Sequence, residues 1–139
     1  MDYELTRITV PFGTAAVAGE RVATFAGDAN ARGELLGIWF ADIGTLNQLI
    51  VLRGFATRAD LQAERARVRA SASPLGCGDL AVAQRSDAFE GFAWMAPARP
   101  TAESGVRGPV YEIREYGIKP GGVEPTIELW RQAMPARAA

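Results

Sequence analysis

Residues 110–130 read V-Y-E-I-R-E-Y-G-I-K-P-G-G-V-E-P-T-I-E-L-W, and this stretch decides the fold. Its first part alternates and predicts a β-strand at 110–118, its Pro-Gly pair predicts a turn, and its last part opens a helix. The start of the chain carries the same pattern, since Y-E-L at residues 3–5 precedes Y-E-I at residues 111–113 by 108 positions. The sequence therefore predicts a repeated strand–turn–helix unit.

The chain from residue 3 to residue 96 predicts the element order β-α-β-β-α-β. This is the order of the ferredoxin-like fold, an α+β fold with a four-stranded antiparallel sheet and both helices on one face. Strands are expected at 3–10, 34–42, 45–55 and 87–96, and helices at 14–29, 57–69 and, as a short extra turn, 79–84. Strands two and three are apolar on both sides, so we expect the other face to be covered too, most simply by a second sheet.

The domain organisation follows from the repeat. We expect a ferredoxin-like first repeat at 1–97, a linker rich in Pro and Gly at 98–109, and a partial second repeat at 110–139. The apolar stripes of the two repeated helices are 105 positions apart, as Ala18 and Val123 show, which predicts a longer turn in the first repeat. The second repeat ends after its strand and helix. The chain is therefore expected to be a fragment of a two-repeat protein, or to have its second repeat completed by a partner chain.

Composition excludes several classes of function. The formal net charge of −1 argues against a nucleic-acid-binding surface, which needs a basic face. The sequence has no histidine, which removes His-dependent nucleophilic catalysis and His-ligated zinc or haem. Its apolar runs are far shorter than the ~20 residues of a membrane helix. We expect a soluble, cytoplasmic protein with no membrane insertion, no metal and no cofactor.

Two motifs resemble a known family. Residues 111–121 read Y-E-I-R-E-Y-G-I-K-P-G and are followed by E-L-W at 128–130, while residues 37–47 read G-I-W-F-A-D-I-G-T-L-N. Both runs resemble signatures of the NIPSNAP family and fall at suitable places in one repeat unit. The resemblance implies a dimeric α+β barrel, in which two ferredoxin-like sheets pack face to face, from two repeats or from two chains. It implies self-association and no settled reaction.

Alternation along residues 110–118 puts Glu112, Arg114 and Tyr116 on one side of the predicted strand. If a second sheet covers that side, an acid, a guanidinium and a phenol would line a cavity able to hold a small carboxylate or carbonyl compound. The alternatives are an internal Glu112–Arg114 ion pair and an exposed face on an incomplete repeat.

Asn47 and Trp39 are the other ligand-binding candidates. Asn47 interrupts an apolar strand, where it either orients a ligand carbonyl or fixes a turn after Gly44. Trp39 offers a large ring and one N–H donor, with core packing as the alternative. Cys77 is expected to be unreactive, because no histidine or second cysteine lies near it. The four arginines between residues 58 and 69 predict a solvated helix face.

Three functions remain open from the sequence. The first is a NIPSNAP-like, oligomeric, small-molecule-binding α+β barrel without established catalysis. The second is a cofactor-independent enzyme of the dimeric α+β barrel type, monooxygenase- or isomerase-like, acting on a small hydrophobic carbonyl compound. The third is an assembly protein whose barrel is filled by its own side chains. Fold alone does not separate them.

Overall fold

The structure is a computed structural model that describes residues 1–98 and 110–138. The chain divides into two compact units, Met1–Pro100 and Thr101–Ala139, and each is described by itself. The predicted linker at 98–109 lies almost entirely outside the described residues. The interpretation of the second unit as a partial repeat stays a prediction of the sequence.

The first unit has the predicted β-α-β-β-α-β order. Its elements are β1 Asp2–Thr9, α1 Ala15–Ala26, β2 Glu34–Phe40, β3 Gln48–Phe55, α2 Arg58–Ala70 and β4 Ala83–Glu90, with a short 3-10 turn at Pro74–Gly76. Neighbouring strands run antiparallel in the order β2-β3-β1-β4. This confirms the ferredoxin-like α+β fold. The α2 start is also as predicted, because the Asp60 N–H donates to Thr57 Oγ1 at 3.1 Å and closes a capping turn.

Two helices cover one face of the sheet, which we call the helix face. Helix α1 packs on β2 and β3, and α2 packs on β1 and β3. Alternate residues of β1 and β3 point into this layer and form the core with α1, α2 and the loop after α2. The buried members are Ile8, Val10, Ala18, Val22, Leu49, Val51, Val68, Leu75 and Cys77. The opposite side, which we call the outer face, carries the remaining strand residues.

The region around β4 differs from the prediction. Residues 79–84 form no helix, because the Val82 N–H donates to the Thr9 carbonyl at 2.8 Å and the backbone already runs beside β1. The strand then begins at Ala83 and ends at Glu90, whereas the sequence predicts residues 87–96. Glu90 pairs with Asp2, the first residue of β1. Residues after Glu90 therefore have no β1 residue to pair with, and the strand ends.

A chain of ion pairs lies inside the helix face. Arg53 of β3 donates from Nη2 to Glu4 of β1 at 2.5 Å and from Nη1 to Glu64 of α2 at 2.7 Å. The three side chains are 3%, 2% and 0% exposed. Charges removed from water to this degree persist only when they are paired and hydrogen-bonded. The cluster therefore fixes two strands and a helix to one another through a single guanidinium.

Two further arginines close this cluster from the surface, which corrects the prediction that they belong to a solvated face. Arg65 donates from Nε to Glu4 at 2.7 Å. Arg67 makes two hydrogen bonds to Glu64, at 2.9 and 2.8 Å, and its guanidinium carbon lies 3.9 Å from the centroid of the Phe25 ring. Burial of Glu64 raises the pKa of its carboxyl, but the hydrogen bonds from Arg67 and the Arg32 N–H, with the charge of Arg53, outweigh it and lower that pKa overall.

The second unit consists of an irregular segment and helix α3, Val123–Ala138. Residues 110–119 carry no strand, which corrects the strand predicted at 110–118. A strand needs a hydrogen-bonded neighbour, and the sheet of the described residues does not include this segment. Helices α1 and α3 begin 108 positions apart, which is also the displacement of the Y-E-L and Y-E-I motifs. The longer first turn predicted from the 105-position offset is therefore wrong.

Substitution of Arg53 by Met tests the buried cluster. It would leave Glu4 and Glu64 without their shared buried cation, so we expect the free energy of unfolding to fall by about 3–5 kcal/mol. Urea denaturation followed by circular dichroism measures the change. The control is Arg58→Met, because Arg58 pairs with Asp2 at 3.0 Å but is 53% exposed, and we expect a loss of about 0–1 kcal/mol. Equal losses in the two variants would contradict the structural role of the cluster.

The lowered pKa of Glu64 predicts an acid-sensitive fold. A carboxyl with a folded pKa below its ordinary value of 4.5 stabilises the fold above that value, and this contribution disappears as the pH falls through the folded pKa. Glu64→Gln should flatten the dependence of unfolding free energy on pH below 4.5, by up to about 1.4 kcal/mol per pH unit. Urea titrations between acidic and neutral pH give this slope. Glu20→Gln, which removes an exposed helix carboxylate, is the control and should keep the slope of the unchanged chain.

Candidate functional site

The outer face of the sheet is the part of the first unit that the two helices leave uncovered. Across the middle of the sheet, antiparallel register brings four outer-face residues into one row, namely Trp39, Ile50, Arg7 and Arg85 from β2, β3, β1 and β4. The neighbouring row consists of Gly37, Leu52, Leu5 and Asp87 in the same strand order. The face is thus apolar over β2 and β3 and charged where β1 meets β4.

Trp39 lies flat on the apolar half of this face. A Cβ atom placed on Gly37 would come within 2.4 Å of the Trp39 ring, so the indole covers the bare backbone of that glycine. An irregularity in the β2 register between Leu35 and Gly37 shifts the residues that precede it. The result is a flat aromatic surface beside Ile50 and Leu52, both of which are half-buried.

The charged half is held by ion pairs along the β1–β4 boundary. Arg7 Nη1 lies 3.2 Å from Asp87 Oδ2, and Arg85 Nε lies 2.9 Å from the same oxygen. Arg85 remains 71% exposed, whereas the side chains of Arg7 and Asp87 are 20% and 29% exposed. One carboxylate thus binds two guanidinium groups at the edge of an otherwise apolar face.

The segment after β4 reaches one corner of the outer face. The Ala98 N–H donates to Tyr3 Oη at 2.9 Å, and the Gly91 N–H donates to the Met1 carbonyl at 3.0 Å. The rings of Phe92 and Trp94 stack with their centroids 4.8 Å apart. These aromatic residues, predicted as part of a fourth strand, instead form a short non-strand segment that packs near Tyr3.

Asn47 lies in the connection between β2 and β3 and not within a strand. Its φ of 55° is in the left-handed region, where Asn is one of the few residues other than Gly that is common. Its carbonyl accepts a hydrogen bond from the Val10 N–H at 2.9 Å, and its side chain is exposed. This position fits the turn-forming role that the sequence left open. The ligand-binding role of Asn47 stays a prediction.

The predicted triplet lies in the second unit, and its members interact. Arg114 Nη2 donates to Glu112 Oε2 at 2.6 Å, and the ring centroids of Tyr116 and Trp130 are 6.3 Å apart. Hydrogen bonds from Arg114 to Glu112 and to Tyr116 raise the pKa of the guanidinium, and the first lowers the pKa of the Glu112 carboxyl. Both charged side chains are more than half exposed. Of the five sequence candidates, the structure thus brings these three together, while Trp39 and Asn47 occupy separate places in the first unit.

Cys77 is a packing residue. Its side chain is fully buried, and its Sγ donates to the Ala18 carbonyl at 3.5 Å. Burial raises the pKa of the thiol, which disfavours the reactive thiolate. Among residues 1–98 and 110–138, no cluster of potential metal ligands occurs and no helix is long and apolar enough to cross a membrane.

The sequence interpretation missed the charged residues that organise the first unit. A signal was present in β3, where alternate positions Leu49, Val51 and Phe55 are core residues and Arg53 occupies the same side. An arginine at such a position requires a buried acid, and β1 and α2 each offer one. The outer-face residues Arg7 and Asp87 could have been found only from the strand register, which joins positions 80 residues apart.

Comparisons with known proteins agree with this fold. An uncharacterized NIPSNAP domain protein from Burkholderia xenovorans is 19% identical to this chain and superposes with a TM-score of 0.52. The alignment covers 70% of this chain and 100% of that protein. A NIPSNAP-like domain protein from the same organism has 22% identity and a TM-score of 0.52, with 74% and 95% covered. A NIPSNAP family protein from Agrobacterium tumefaciens has 19% identity and a TM-score of 0.53, with 67% and 94% covered. A search of curated proteins finds no match.

The family model for NIPSNAP matches residues 3–74. This range runs from β1 through α2 and includes the motif at 37–47, whereas the motif at 111–121 lies outside it. The match spans more than half of the sequence. The chain belongs to the NIPSNAP family.

Proposed function

We propose that this NIPSNAP protein is a homo-oligomeric small-molecule-binding module whose outer sheet face forms one wall of an inter-sheet cavity. The main support for the proposal is that helices cover only one of the two faces of the sheet. Two helices cover the helix face, while the outer face presents Trp39, Ile50 and Leu52 without a helix over them in the described first unit. An apolar sheet face in water is stabilised by a second layer.

The composition of this face supports a ligand with an apolar body and a polar end. The indole of Trp39 supplies a flat contact surface over Gly37. Arg7 of β1 lies two strand spacings from Trp39 in the same row, and Arg85 of β4 lies three spacings away, about 14 Å, where its largely exposed guanidinium is held by Asp87. Arginine binds carboxylate and carbonyl oxygens through its fixed N–H groups. A hydrophobic carboxylate or carbonyl compound whose apolar body lies on Trp39 and whose polar end reaches across β3 toward β1 therefore matches the two halves of the face.

Catalysis has less support than binding on this face. Asp87, which could act as an acid or base, is paired with two arginines. Tyr3, the phenol on the same face, accepts a hydrogen bond from the Ala98 N–H. Both groups are engaged in positioning neighbouring segments, so the binding module is the function that the geometry favours.

Assembly through the outer face can be tested by a substitution at its centre. Ile50→Glu places a carboxylate in the centre of the outer face, where a second sheet would have to bury it, so we expect the variant to be a monomer. Native mass spectrometry and light scattering at several concentrations measure the state. Ile43→Glu is the matched control, because Ile43 is 93% exposed in the β2–β3 connection and lies off the face.

The unchanged chain and Ile43→Glu should both be oligomers. Circular dichroism checks that Ile50→Glu is folded. A monomeric unchanged chain, or an Ile50→Glu variant that keeps the oligomer, would contradict the assembly through the outer face.

Ligand binding on the outer face can be tested by substitution of Trp39. Trp39→Ala removes the aromatic surface. The probe is a benzoate that carries an apolar substituent, and we expect its affinity to fall by about tenfold or more, as for the loss of one well-packed aromatic contact. Isothermal titration calorimetry gives the affinity, and the oligomer should persist. Arg114→Ala is the comparison variant. Loss of binding in Arg114→Ala with unchanged binding in Trp39→Ala would assign the site to the polar triplet and refute the outer-face site.

A further inference from the structure

Three loops of the first unit meet at one end of the sheet, where β1 and β2 end and β3 and β4 begin. Backbone hydrogen bonds join these loops: the Val10 N–H donates to the Asn47 carbonyl at 2.9 Å, and the Val82 N–H donates to the Thr9 carbonyl at 2.8 Å. We call this end of the sheet the loop tip. It consists of residues 10–14, 40–47 and 80–83.

Five large apolar side chains of the loop tip lie in water. Phe12 is 90% exposed and Ile43 is 93% exposed, and more than half of the surface of Phe40, Leu46 and Val82 is exposed as well. Single exposed apolar residues are normal on a protein surface, whereas several at one place mark a site of interaction with a protein or a membrane. The loop tip is therefore a candidate interaction surface, separate from the outer face.

The turn after β1 holds Phe12 out by its backbone. The Thr14 N–H donates to the Pro11 carbonyl at 3.2 Å, and the Thr14 hydroxyl donates to the same oxygen at 2.8 Å. Gly13 has a φ of 80°, which a tight turn of this kind requires at its third position. The exposure of Phe12 at the second position therefore follows from a closed, hydrogen-bonded turn.

The β2–β3 connection presents Ile43 and Leu46 above a core that is already closed. Asn47, with its φ of 55°, ends this connection and accepts the hydrogen bond from Val10. Below it, Val10 and Leu49 are 2% and 0% exposed. Ile43 and Leu46 thus add little to the packing of the core, so their exchange for polar residues should leave the fold intact.

The loop tip carries almost no charge. Asp42 is the single charged residue in its three sequence ranges. Arginines on neighbouring parts of the fold are paired with aspartates: Arg21 lies 2.7 Å from Asp79, and the two arginines of the β1–β4 boundary share one carboxylate. The surface therefore offers apolar area without a basic cluster that would attract phosphate or an anionic lipid.

A neutral lipid interface matches this combination. A protein partner would need a separate pocket for the side chains of each of the three loops, whereas a fluid interface adapts to their arrangement. Binding at a bilayer surface depends on the apolar area that enters the headgroup region and on the attraction of basic residues to anionic lipids. The loop tip has the first of these contributions and lacks the second.

We propose that the loop tip docks the protein peripherally on a zwitterionic lipid bilayer. The side chains of Phe12, Ile43 and Leu46 enter the headgroup region, and no segment crosses the bilayer. The proposal does not depend on whether the outer face assembles or binds a ligand, because the loop tip lies at the end of the strands and the outer face lies on their side.

Sedimentation of the intact chain with phosphatidylcholine vesicles tests the proposal. We expect the unchanged chain to bind and the double variant Phe12→Ser/Ile43→Ser to lose at least about tenfold in partition coefficient, because two large apolar side chains no longer leave water. The matched control is Val110→Ser/Leu129→Ser, since these residues are 88% and 66% exposed in the second unit. It should bind as the unchanged chain does.

The source of the attraction is tested with the same assay. Added phosphatidylserine should not increase binding, and high salt should not reduce it, because salt screens charges and leaves apolar burial in place. Circular dichroism checks the fold of each variant, and the single variants Phe12→Ser and Ile43→Ser should each show part of the loss.

Three results would overturn the docking of the loop tip on neutral lipid. The first is an unchanged chain that does not bind phosphatidylcholine vesicles, or that binds only when phosphatidylserine is present. The second is a folded double variant that binds as well as the unchanged chain. The third is a double variant that native mass spectrometry shows to have lost an oligomer present in the unchanged chain, which would assign the loop tip to a contact between copies.

Discussion

The guanidinium of Arg53 is the interaction on which the first unit depends. It joins Glu4 on β1 to Glu64 on α2, and it does so inside the layer between sheet and helix. Hydrophobic packing alone would allow α2 to slide or rotate on the sheet, because apolar contacts have little directionality. A guanidinium between two carboxylates has fixed geometry, so it sets the position of the helix along the strands. Arg65 and Arg67 then shield the buried carboxylates from water.

The same arrangement explains why the two faces of the sheet differ. The charged cluster and the apolar core both use the helix face, which leaves the outer face free to carry other chemistry. On that face the aromatic surface of β2 and the ion pairs of β1 and β4 lie on opposite sides of β3. Substitutions on the outer face of this chain therefore leave in place the contacts that hold its helices.

Periodicity and turn residues predicted the fold because they act locally. The capping turn at Thr57 and the glycine at residue 13 restrict the backbone through contacts a few positions away, and the sequence displays them directly. The end of β4 could not be predicted in this way, because it depends on where β1 begins in the register. The roles of Arg65 and Arg67 were hidden for a similar reason. Their acidic partners become buried only once α2 packs on the sheet. The charged sequence of α2 by itself predicts a helix exposed to solvent.

The buried thiol of Cys77 has a practical consequence for work on this protein. It is the single cysteine of the sequence and lies fully inside the core beside α1. The electrophilic groups of thiol-directed dyes and spin labels are attacked by an exposed thiolate, so the buried Cys77 of the folded chain does not react with them readily. A cysteine introduced at any surface site would consequently be labelled selectively, without first removing the native one. The fold thus allows site-specific labels to be placed for distance measurements without replacement of the native cysteine.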